Sequence, residues 1–177
     1  MGFCGRLDIN HKGLDLMLQG FHLFLEKGGK GKLELIGDGT DRPTLEKMAA
    51  DLGITHQVTF HGALFNLKKI QTLCRFDTFL HTSRMEGFPM SVLEATALGI
   101  PCITSEATNF NDYIRENKAG IPIVENTPLG IAEAMQKAEN LYQKNELHLL
   151  GENAKVMANK VFDWQNIAQQ LINTYAA

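Results

Sequence analysis

Two carboxylates, Glu86 and Glu94, stand eight positions apart in the run Glu86-Gly87-Phe88-Pro89-Met90-Ser91-Val92-Leu93-Glu94. A strand ending at His81 passes into a polar turn carrying Thr82, Ser83, Arg84 and Glu86. Gly87-Phe88-Pro89 then opens a helix from about Met90 to Leu98, which Gly99 closes. The first amides of such a helix, around Met90 and Ser91, have no partner within it. With the positive end of the helix dipole they suit an anion such as a diphosphate. One turn deeper, the Glu94 carboxylate can accept the pair of hydroxyl hydrogen bonds that a ribose diol offers. The spacing of the two acids carries little by itself; the flanking residues give it meaning.

Arg6 and Lys12 bracket a second polar turn that ends in Gly13. Arg supplies a planar fork and Lys a point charge, so the two can face an anion together. On residue type alone, two ordinary surface cations would be as fair a reading. Gly37-Asp38-Gly39 permits close backbone approach to a ligand, although Gly-x-Gly turns are common.

Their placement on the chain relates these turns to one another. Short apolar runs alternate with segments of helical period. Strands are expected at Gly2–Gly5, Lys32–Ile36, Val58–His61, Thr78–His81, Pro101–Thr104 and Ile121–Val124. Between them, Gly13–Lys27 repeats Leu14, Met17, Leu18, Phe21, Phe24 and Leu25 on one helical face. Pro43–Leu52, Leu67–Cys74 and Asp112–Asn117 are further helices, and Thr127-Pro128 caps a long one to Lys144. Two more helices are expected at Glu146–Lys160 and Trp164–Tyr175. This alternation predicts an α/β fold: a Rossmann-like, doubly wound parallel sheet of about six strands, helices on both faces and extra C-terminal helices. Ligands of such sheets bind at the carboxyl ends of the strands. The chemistry therefore belongs to the loops Arg6–Gly13, Gly37–Pro43, His61–Leu67, Thr82–Pro89 and Ser105–Asn111.

With 177 residues and 44% hydrophobic content, the chain can bury roughly two-thirds of its unfolded surface, which suits one domain. A net charge of -3 argues against nucleic acid as a partner, so any phosphate must be met locally. Cys4, Cys74 and Cys102 are widely spaced and odd in number, as expected of reduced, buried thiols in a cytosolic protein. No apolar stretch approaches the ~18 residues of a membrane-spanning helix. The six histidines show no metal-ligand spacing.

Taken in order, several segments resemble the signature of family 4 glycosyltransferases. They are Gly5-Arg6-Leu7 with Lys12-Gly13, Ile36-Gly37-Asp38-Gly39 and Val58-Thr59-Phe60-His61-Gly62. Ser83-Arg84-Met85-Glu86-Gly87-Phe88-Pro89, Leu93-Glu94-Ala95 and Gly99-Ile100-Pro101 follow. The similarity spans essentially the whole chain, including Phe162-Asp163-Trp164, and matches the second, donor-binding domain of these two-domain GT-B enzymes. The resemblance implies that residues 1–177 form a single donor-binding domain, without the N-terminal acceptor domain that would be its partner. It implies that Arg6 and Lys12 hold the diphosphate of a nucleotide sugar, that Glu86 acts at the donor sugar and that Glu94 binds the ribose. The turn Gly87, Phe88, Pro89, Met90 and Ser91 would contact phosphate and sugar, with Gly37 and Gly39 close by and Val58–Leu64 walling the base. The implied activity is glycosyl transfer with retention, in polysaccharide or glycoconjugate biosynthesis, with no metal and no cofactor beyond the donor. The intact enzyme would be cytoplasmic, at the inner face of the membrane as a peripheral protein.

Four departures from the family pattern stand out: Thr82 where proline is usual, Pro89 for a commoner glycine, Thr96 for a usual methionine, and Thr108-Asn109-Phe110 with Asp112 in place of a glycine-rich turn before Glu. The last bears on sugar or acceptor specificity. A non-catalytic nucleotide-binding or partner module of Rossmann-like fold is the alternative reading. A dinucleotide oxidoreductase fits poorly, because no G-x-G-x-x-G opens the first helix. GT-B epimerases and phosphorylases fit the set Arg6, Lys12, Glu86 and Glu94 poorly as well.

Overall fold

The computed structural model describes residues 1–163 together with Ala168 and Ile172. The final helix expected at Trp164–Tyr175 lies outside the described residues. Six short strands, β1 (Gly2–Cys4), β2 (Leu33–Ile36), β3 (Val58–Gly62), β4 (Phe79–His81), β5 (Cys102–Thr104) and β6 (Gly120–Pro122), form one sheet in the order β3-β2-β1-β4-β5-β6. Every pairing is parallel. The helices are α1 (Ile9–Lys12), α2 (Leu14–Glu26), α3 (Arg42–Asp51), α4 (Asn66–Leu73), α5 (Met90–Ala97), α6 (Asn111–Glu116), α7 (Pro128–Gln143) and α8 (Leu147–Val161).

Alternation along the strands sorts the core into two layers, because successive side chains of a strand point to opposite faces. Phe3, Leu35, Leu80 and Ile103 join one buried cluster, with Leu14, Met17 and Phe21 of α2 and Ile131 and Met135 of α7. Cys4, Ile36, Phe79 and Cys102 join the other, with Leu73 of α4, Val92 and Ala95 of α5, Ile114 of α6 and Met157 of α8. The doubly wound arrangement thus follows from apolar residues placed on both faces of nearly every strand.

From β1 the chain moves outward through β2 to β3, then returns to the other side of β1 for β4. The crossovers leave in opposite directions at β1 and β4, and their carboxyl ends open a crevice there. The loop after β1 and the loop after β4 line it.

Three expectations need correction. Residues 6–13 are more than a turn, since α1 lies within them. Asp8 caps it by accepting a hydrogen bond from His11 N at 2.9 Å, Ile9 N donates to Asp41 Oδ2 at 2.8 Å, and Gly13 ends it in the left-handed region with φ 61°. Four residues are too few to show a helical period. Strand β6 ends at Pro122, and Val124, expected within it, is 93% exposed. Of the three cysteines, all free thiols, Cys4 and Cys102 are buried as expected but Cys74 is exposed.

Candidate functional site

The two acids stand on opposite sides of the β4–α5 turn and each carries a lysine. Lys12, the last residue of α1, donates from Nζ to Glu86 Oε2; both side chains are largely buried. Lys69 of α4 donates to both oxygens of Glu94, at 2.7 and 2.9 Å. Arg6, by contrast, is exposed and paired with Asp8 at 3.1 Å. The expected basic pair is therefore divided: Lys12 reaches the Glu86 carboxylate, and Arg6 lines a separate open cleft.

That cleft, about 420 Å³, is bounded by Cys4, Gly5, Arg6, Gly37 and Asp38 on one side and by Ala63, Leu64, Phe65, Asn66 and Lys69 on the other. The ring of Phe65 is 72% exposed beside it. Gly37 sits at φ 140°, and a Cβ there would come within 1.8 Å of Gly5 O. The same construction at Gly39 meets Leu7 O at 2.3 Å. The glycines are thus demanded first by the neighbouring β1 loop, which they allow to lie against β2. Cys4 borders the cleft, and burial pushes its thiol up to about 11, which keeps it protonated and unreactive.

Several bonds fix Lys12 relative to Glu86. Thr82, in the place of the family's usual proline, donates from Oγ1 to Lys12 O at 3.1 Å and to Gly13 O at 3.0 Å. Arg84 forms a fork on Asp15 at 2.8 and 2.7 Å and donates to Ile9 O at 2.7 Å. Its backbone N–H reaches His11 O at 2.8 Å. From the far side Asn126 donates to Thr82 O and Ser83 O at 3.0 and 3.2 Å. The loop after β1 and the loop after β4 are thereby tied into one unit.

His81, at the end of β4, is 1% exposed, with Nε2 3.6 Å from Glu86 Oε2 and no partner for Nδ1 among the described residues. Burial and then the Lys12 charge lower its pKa to about 4, against a smaller raising effect from Glu86. At neutral pH it is an uncharged neighbour of the acid.

Gly87, Phe88, Pro89, Met90 and Ser91 form the turn and the start of α5. Pro89 is the N-cap and supplies no side-chain bond, so the first amides of α5 remain available. Met90 is 60% exposed, and the half-exposed Phe88 ring meets Phe110 edge-on at 5.7 Å and Phe162 at 5.4 Å.

This arrangement, a cleft beyond the ends of β1, β2 and β3 bordered by Lys69, with the Lys12–Glu86 pair and an uncapped helix start at the switch point, coincides with a family match. Residues 1–157 fit the family described as Glycosyl transferases group 1. The chain belongs to the group 1 glycosyltransferases. It is 29% identical over 175 residues to an uncharacterized glycosyltransferase of Methanocaldococcus jannaschii, covering 98% of this chain and 43% of that protein. Anabaena HepE, solved in complex with UDP, superposes with a TM-score of 0.84 at 22% identity, over 99% of this chain and 48% of that one. The C-terminal domain of the group 1 family protein LpcC from Francisella tularensis matches with a TM-score of 0.75 at 22% identity, covering 92% of this chain and 86% of that one. The chain thus spans less than half the length of the M. jannaschii relative, and its fold is that of a C-terminal domain in this group. Among the described residues no helix is long and apolar enough to cross a membrane.

Motifs single out Arg6, Lys12, Glu86 and Glu94 but not Lys69 or His81, and they mark Asn109 only as part of an unusual segment. Lys69 is one of two adjacent lysines on a helix, and only the fold distinguishes it from Lys68. A signal for Asn109 was present in the unusual Thr108-Asn109-Phe110 segment.

Proposed function

We propose that residues 1–177 form one donor-binding domain of a retaining glycosyltransferase, which binds a nucleoside diphosphate sugar and presents its anomeric carbon to an acceptor hydroxyl. The observation that carries this reading is the convergence of the Lys12–Glu86 pair with the uncapped start of α5 at the switch-point crevice. Base and ribose lie in the cleft between Gly37 and Phe65, where the exposed ring of Phe65 offers a stacking face. Glu94 exchanges Lys69 for the ribose hydroxyls. The diphosphate draws Lys12 away from Glu86, meets Arg6 and the first amides of α5, and frees Glu86 to hold the sugar hydroxyls.

In the transfer, the bond between the anomeric carbon and the phosphate oxygen breaks with its electron pair going to the diphosphate, the acceptor oxygen bonds to that carbon on the same face, and the acceptor's proton passes to the departing phosphate oxygen. Lys12, Arg6 and the α5 start stabilise the negative charge growing on the departing diphosphate. Divalent metals do this elsewhere; here the reading is metal-independent and needs no cofactor besides the donor. The acceptor is supplied by an N-terminal domain of the same enzyme, which acts in polysaccharide or glycoconjugate assembly at the cytoplasmic face of the membrane. Nucleic acid has no part.

Calorimetric titration with UDP, GDP and ADP tests the reading, UDP first because HepE was solved with it. One diphosphate should bind. Losing a hydrogen bond to a charged group costs about 1.5–3 kcal/mol, so Lys12→Ala and Glu94→Ala should each weaken it roughly tenfold or more. Silence from all three would overturn the donor reading.

A further inference from the structure

The loop between β5 and α6 reaches under the Glu86–Phe88 turn. It starts from Ser105, whose Oγ donates to Ser83 O at 2.6 Å, and passes through a single 3-10 turn, Glu106–Thr108. Thr108 Oγ1 donates back to Ser105 O at 2.8 Å. Asn109 follows with φ 49°, the left-handed conformation that Asn tolerates better than other side chains. From there its Nδ2 donates to Glu86 O at 2.9 Å and to Gly87 O at 3.1 Å. Two carbonyl acceptors settle which end of the amide faces them. The next residue, Phe110, is fully buried and packs against Phe88.

These bonds act on the opposite edges of two peptide groups. In a planar trans peptide the N–H points away from the C=O. With both carbonyls drawn toward Asn109, the N–H groups of Gly87 and Phe88 are turned to the other side. There neither finds an acceptor among the described residues. A Cβ built on Gly87 meets nothing within 4 Å, so the surroundings are open.

We propose that Asn109 is a positioning residue for the donor, holding the Gly87 and Phe88 N–H groups as a preformed pair of hydrogen-bond donors for the phosphate and sugar oxygens of the nucleotide sugar. The proposal rests on the donor-domain reading and adds to it what keeps the turn in its binding form. Without the Asn109 amide the two peptides can rotate, and part of the binding energy is spent in ordering them.

The variant that isolates this is Asn109→Gly, which accepts the left-handed backbone and removes only the amide. Asn109→Asp turns a donor into acceptors facing two carbonyls. Affinities are measured for UMP, UDP, GMP, GDP, AMP and ADP, and inorganic pyrophosphate is followed through the amide resonances of Gly87 and Phe88. Asn109→Gly should weaken the cognate diphosphate about fivefold to tenfold while its monophosphate stays within twofold, and Asn109→Asp should weaken the diphosphate further. Pyrophosphate should shift the Gly87 and Phe88 amides in the wild type and not in Asn109→Gly. Equal weakening of mono- and diphosphate would mark a merely structural role and overturn the proposal, as would no change in either. If no nucleotide binds the wild type, the donor reading falls. The pyrophosphate response of those two amides then decides the inference: a wild-type shift lost in Asn109→Gly sustains it, and any other response overturns it.

Discussion

Folding changes the acid–base chemistry of His81. Held neutral, with its pKa lowered to about 4 by burial and the Lys12 charge, it refuses a proton that the unfolded chain accepts near pH 6.5. Between those values the unfolded state binds more protons, so stability falls as pH drops through the window, by about 3 kcal/mol at its foot. Urea unfolding of wild type and His81→Leu at pH 7 and pH 4.5 measures this. The variant should lose markedly less stability on acidification, and equal losses would refute a buried neutral imidazole. Sequence singles out the acids and the basic pair because they fall in motifs with fixed neighbours. It does not reach Lys69 or the division of Arg6 from Lys12, since an ion pair between residues 25 positions apart is decided by packing.

Among the elements, α1 matters most for its size. Its last residue is Lys12, and the turn into α2 is made by Gly13 at φ 61° with its Cβ position 2.3 Å from Thr82 O. Gly13→Ala combines left-handed strain of about 1–2 kcal/mol with that clash. It should therefore lower the melting temperature by about 4–8 °C and weaken the diphosphate by moving Lys12. A melting curve matching the wild type would show that α1 is not held against the β4–α5 loop. The long helices and all six strands were legible within a residue or two, because Leu14 to Leu25 and the apolar runs repeat with clear periods. Helix α1 was not, since its signals are Asp8 three positions before His11 and a glycine stop, which also fit a plain turn.

At the scale of the molecule, the sheet order and the Arg6–Gly13 and Thr82–Pro89 loops describe one wall of a cleft. The function proposed above assigns the acceptor side to a separate N-terminal domain. The purified chain should therefore bind its nucleotide and still release no glycosylated product above background when given UDP-glucose, GDP-mannose or ADP-glucose with glycoside acceptors. Turnover at ordinary enzyme rates would show a complete active site within these 177 residues. The two lysines seated on Glu86 and Glu94 bear on life among competing solutes. In the donor site proposed above each lysine is already paired with an acid, so the net field on a simple anion is small. A ligand that takes the place of a lysine on one acid while recruiting the other lysine is favoured over either half alone. In that reading the two ion pairs themselves discriminate against partial ligands.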